Sequence, residues 1–175
     1  VKKLLGKQHY KIKELALPRF EPVLGENWPG MFKQITDVQI DLRNGGSEWD
    51  LRYLRHQKDV SWVDIGELAI DNSELEVLKT LPALSYLCIN IERVDSDGIA
   101  MLAELDLVTL SLKGRELTEE EAAMVARLKK LQWIGLAEPE PANSKVAAIL
   151  RERLPDCAIG NSSCLLYTSP SPRDL

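Results

Sequence analysis

Apolar residues return along the chain in clusters of one shape, two positions three apart followed by a third two further on. The clusters read Ile65, Leu68, Ile70; Leu84, Leu87, Ile89; Leu107, Leu110, Leu112; Leu131, Ile134, Leu136; and Leu154, Cys157, Ile159. Between middle residues the steps are about 19, 23, 24 and 23 residues, a period at which each unit is a single supersecondary element. A unit of that size cannot bury its own apolar face and must stack on its neighbours. The last apolar-x-apolar step of each cluster has the period of two of a strand, so Leu87 and Ile89 turn inward while Tyr86, Cys88 and Asn90 turn outward. The period then changes: Ile99, Leu102 and Leu105, and later Ala122, Val125 and Leu128, recur at the spacing of one helix face. The pattern predicts an α/β solenoid, with parallel strands on a concave face and short helices on a convex one.

Helix-start signals fall in phase with the clusters. Ser73 is followed three residues on by Glu76, and Thr118 by Glu121, the spacing of a capping box that satisfies backbone donors in the first turn. Asp95, Ser96 and Asp97 precede Ile99, Asn143 and Ser144 precede Val146, and Ser47 precedes Leu51 and Leu54. The carboxylates of Asp71, Asp95 and Asp97 fall on turns where they would cap helices.

The clusters, the acidic turns Val94-Asp95-Ser96-Asp97-Gly98-Ile99 and Leu117-Thr118-Glu119-Glu120, and the closing segment from Leu150 to Ile159 resemble leucine-rich-repeat proteins of a bacterial type. The resemblance covers residues 37 to 160 and implies about five to six units. Its motifs are specific for fold and almost silent about function; it is the repeat itself that favours a protein-binding role over chemistry. Glu92 and Arg115 stand where the family's turn usually has Asn or Thr, and the prolines of Glu138-Pro139-Glu140-Pro141 remove backbone donors from a regular turn. Residues 1–36 read as a leader or cap. Residues 161–175 read as a non-native or disordered tail, because Cys164 to Asp174 resembles a translated sequencing adapter and periodicity stops after Ile159. On this reading the chain is a fragment.

Charge and composition narrow the function. A formal net charge of −5 over 175 residues argues against nucleic acid, which is recognised through clustered basic surface. No apolar run approaches the ~20 residues of a membrane span, so the repeats themselves make no membrane contact. Lys2, Lys3, Lys7, Lys11 and Lys13 leave open a basic arm beside an anchor further upstream; compartment is not legible. The two cysteines before the tail fall on separated strands, which precludes a bridge.

Chemistry is sparse. His9 lies in the leader and His56 among Arg55, Gln57, Lys58 and Asp59, so neither stands beside a nucleophile. No CxxC, HExxH or calcium-loop spacing occurs, and the glycines of Gly25 to Gly30 and of Gly45-Gly46 mark turns without a phosphate-loop lysine. The sequence therefore offers no catalytic residue, metal ligand or cofactor site.

The outward strand residues are the candidate binding surface, for a protein partner. They comprise Gln39, Asp41 and Arg43; Glu67, Ala69 and Asp71; Tyr86, Cys88 and Asn90; Thr109, Ser111 and Lys113; and Trp133, Gly135 and Ala137. The expected contacts are Glu67, Asp71, Tyr86, Asn90, Thr109, Ser111, Lys113 and Trp133. Tyr86 and Trp133 are the expected anchors, since aromatic rings bury large area with few rotors; the alternative is that each ring folds over a neighbouring strand. Trp28, Trp49 and Trp62 are expected to cover the first unit. A second functional reading is that the repeats serve as the recognition or spacer part of a larger membrane-anchored sensor or enzyme.

Overall fold

The computed structural model describes residues 37–39, 51–55, 57–137 and 144–162. The leader, Ser47, His56, the turn at residues 138–141 and the tail from 163 lie outside the described residues. The chain is α/β, with parallel strands alternating with helices. The strands are β1 (Asp37–Gln39), β2 (Trp62–Ala69), β3 (Tyr86–Asn90), β4 (Thr109–Lys113), β5 (Trp133–Leu136) and β6 (Ala158–Asn161). The helices among the described residues are α1 (Asn72–Leu78), α2 (Ser96–Leu102), α3 (Glu119–Val125) and α4 (Lys145–Arg153), with a 3-10 turn at Leu51–Leu54. All six strands form one sheet in chain order, every neighbouring pair parallel. Each helix packs on the next in the same order.

Register fixes the period. Val38, Val63, Leu87, Leu110, Ile134 and Ile159 are successive partners across the sheet, at steps of 25, 24, 23, 24 and 25 residues. The first cluster is therefore Val60, Val63 and Ile65, all fully buried, and not Ile65, Leu68 and Ile70. The short first step expected from sequence disappears. Its source is a bulge: β2 pairs Ile65 with Ile89 and next Ala69 with Asn90, so the intervening residues leave the ladder. Leu68 and Ile70 imitate the cluster spacing while lying at or beyond the bulge. At the far end Ile159, not Cys157, takes the middle place. The Cys157 amide donates to Leu154 O as the Leu131 amide donates to Leu128 O, so Cys157 corresponds to Leu131, one residue nearer its strand.

The inward residues of strands and helices merge into one continuous core that includes Val63, Leu87, Leu110 and Ile134 from the sheet and Leu75, Ile99, Leu102, Ala122, Val125 and Leu150 from the helices. Burying each large aliphatic side chain is worth about 1.5–3 kcal/mol. Helices this short have little stability alone, so packing on the sheet holds them.

Caps start them. Asp95, Thr118 and Ser144 act as expected, Thr118 with Glu121 in a reciprocal box. At α1 the cap is Asp71, one of the carboxylates expected to cap, boxed with Glu74; the expected Ser73–Glu76 box is corrected, because Ser73 lies inside the helix and its amide and hydroxyl both donate to the Asp71 carboxylate. A carboxylate at that end also meets the positive pole of the helix. The Ser73 hydroxyl, as the leading cause, holds the Asp71 carboxyl below its ordinary range.

The turns after the strands tie successive units together. Asn72 Nδ2 donates to the Asp95 carboxylate, and Ser96 Oγ donates to Glu121 at 3.2 Å. Arg115 forks onto both oxygens of Glu121 at 2.8 and 2.9 Å and donates to Val94 O in the preceding turn at 2.8 Å. Glu121 is 2% exposed. Glu121 is thus a buried cross-link between units.

Candidate functional site on the strand face

The pleat of a parallel sheet turns alternate residues to opposite faces, and the register aligns them in rows. One row is Trp62, Tyr86, Thr109, Trp133 and Ala158; the next is Asp64, Cys88, Ser111, Gly135 and Gly160; Asn90 and Lys113 form the start of a third. Tyr86 and Cys88 are buried, at 6% and 2% exposure, yet stand apart from the helical core. They are covered from the other side of the sheet.

Two coverings are visible. Trp62 stacks on Tyr86 with ring centroids 4.7 Å apart and planes 21° from parallel. The bulge after Ile65 passes over the second row, so that a Cβ on Gly66 would stand 2.7 Å from Cys88 Sγ and 3.0 Å from Lys113 Nζ. Only glycine allows that approach. Burial, reinforced by the Asp64 carboxylate, pushes the Cys88 thiol up to about 12, while Lys113 acts in the opposite sense. Cys88 is therefore a protonated packing residue at neutral pH and a poor nucleophile. Burial likewise raises the Tyr86 phenol. Asp64 is nearly enclosed and accepts from the Gly66 amide at 3.2 Å.

Trp133 lies over its neighbours. A Cβ on Gly135 would stand 2.7 Å from Trp133 Cζ3, and one on Gly160 3.2 Å from Cζ2. The two glycines form a floor on which the indole rests, leaving it half-buried.

The eight expected contact residues separate accordingly. Thr109, Lys113 and Trp133 lie on the strand face and are half-buried. Asn90 is at its end, where Oδ1 accepts from the Glu92 amide at 2.9 Å and fixes the turn. Tyr86 and Ser111 are on the face but enclosed; Ser111 is fully buried, and among the described residues its hydroxyl has no hydrogen-bond partner. Glu67 is exposed on the bulge, and Asp71 is consumed as a cap. In place of those two acids the register sets Trp62 and Asp64. Sequence reasoning missed Trp62 because the false cluster at Leu68 shifted that strand; counting 24 residues back from Tyr86 reaches it.

Among the described residues the row of Tyr86 keeps Trp62, Thr109 and Trp133 partly accessible and ends on the exposed Ala158, with Lys113 half-buried in the third row. The strip carries two indoles, a polar centre at Thr109 and a cation at Lys113. Among the described residues no group of three His, Cys, Asp or Glu side chains could hold a metal ion. Neither a family model nor a curated protein matches the sequence.

Proposed function

We propose that the chain is a leucine-rich-repeat solenoid whose concave strand face binds a protein partner, without catalysis. The supporting observation is the strip itself: two tryptophans and Thr109 occupy one register row, each partly accessible, on a sheet anchored by a continuous core. Indole rings seated on glycine or tyrosine lose little further freedom when a partner covers them, which favours binding. Lys113 adds an attraction for a carboxylate or carbonyl at the strip's edge. The partner is an extended segment or loop narrow enough to lie across β2 to β5.

Selection of a displayed peptide library on the immobilised chain, followed by affinity measurement, tests the reading. Thr109→Arg places a long charged chain at the centre of the strip without touching the core. It is expected to weaken the selected ligands at least tenfold while leaving thermal unfolding unchanged. Undiminished binding would place the ligands elsewhere and remove the site.

A further inference from the structure

The helix layer carries a second surface that the strand-face reading does not use. Between α3 and α4 lies an open groove of about 390 Å³. Its floor is apolar and small: Ala123, Met124 and Ala126. Arg127, Lys129 and Arg153 stand around it, against a single acid, Glu120.

The charge is unusual for this molecule. Along the rest of the helix layer cations meet carboxylates across neighbouring units, Lys79 with Glu104 at 2.9 Å, Lys130 with Asp106 at 2.9 Å and Lys145 with Glu119 at 3.4 Å. Arg127 and Arg153 are exposed and have no ion-pair partner among the described residues. Lys129 donates to Ala126 O, which closes the end of α3. The helix dipole accounts for a cation in the last turn of α4, where Arg153 stands. It does not account for three of them converging on one apolar floor in a chain of net charge −5.

We propose that this groove is a docking site for an acidic peptide segment carrying one central apolar side chain. The apolar residue would rest on Ala123, Met124 and Ala126, and carboxylates on either side would meet Arg127 and Arg153. Guanidinium forks suit carboxylates bidentately, and a thioether floor accepts several apolar shapes. The site is on the opposite layer from the strand face, so it stands or falls independently of that proposal.

The probe is a set of fluorescent hexapeptides with Leu, Met, Phe or Trp at the centre and Glu or Asp elsewhere, titrated against the whole chain, with lysine-flanked counterparts as controls. At least one acidic peptide is expected to bind, at least tenfold more tightly than its lysine counterpart and more weakly as salt rises. Arg127→Glu with Arg153→Glu should weaken that binding tenfold or more at unchanged melting temperature. Arg55→Glu with Lys58→Glu, an equal charge reversal on exposed residues far from the groove, should leave it within twofold. Failure of all acidic peptides to bind would overturn the proposal. So would insensitivity to the groove variant, equal loss in the remote variant, or binding only to anionic phosphatidylserine vesicles.

Discussion

Glu121→Ala is expected to lower the free energy of unfolding by about 3 kcal/mol, in the range for removing one partner of a buried ion pair. The carboxylate receives two bonds from Arg115, one from the Thr118 amide and one from Ser96, so one truncation leaves donors from three positions without their acceptor. Arg115 is partly solvated, its side chain 28% exposed, which keeps the loss from rising further. Urea unfolding measures it. The same group makes stability depend on acid: its carboxyl is lowered to about 2 from 4.5, with Arg115 the largest cause. A depressed carboxyl stabilises fully above its unfolded value and progressively less as pH falls toward the folded one. Wild type should therefore lose stability from about pH 4.5 downward toward pH 2, and Glu121→Ala should lose less over that interval. Parallel acid profiles for the two proteins would contradict the assignment.

Gly135→Val is expected to cost about 1–3 kcal/mol, the range for overpacking a filled site. The added Cβ would enter space held by the Trp133 ring and stand 3.0 Å from Ser162 Cα. The backbone is held by β4 on one side and β6 on the other, so the ring must move. The Trp133 indole N–H resonance should shift strongly, and urea unfolding should occur at lower denaturant. An unmoved resonance would mean the ring does not rest on Gly135.

Much of the fold was written as period. Leu84 to Ile89, Leu107 to Leu112 and Leu131 to Leu136 give register directly, because inward residues alternate and a one-residue slip would expose every one of them. The caps at Asp95, Thr118 and Ser144 were equally legible, being local. The first unit was not, because Leu68 and Ile70 reproduce cluster spacing after a bulge that only the pairing with β3 reveals. Exposure along the strand face was the least legible property. Alternation tells which face Tyr86, Cys88 and Ser111 occupy; it does not tell that Trp62 and the Gly66 bulge cover that face locally. Such coverings come from residues more than twenty positions away in sequence. The ring of Trp133 is an intermediate case, since the two glycines that accommodate it, Gly135 and Gly160, were visible in the sequence without their purpose.

The most direct test of the strand-face account is nuclear magnetic resonance of the isotope-labelled chain titrated with a ligand selected on it. The account predicts that the largest amide shifts fall on Trp62, Thr109, Lys113 and Trp133, with both indole N–H signals moving and the helix amides of α1 and α2 nearly still. Largest shifts on the helices, with the strand residues unchanged, would contradict it.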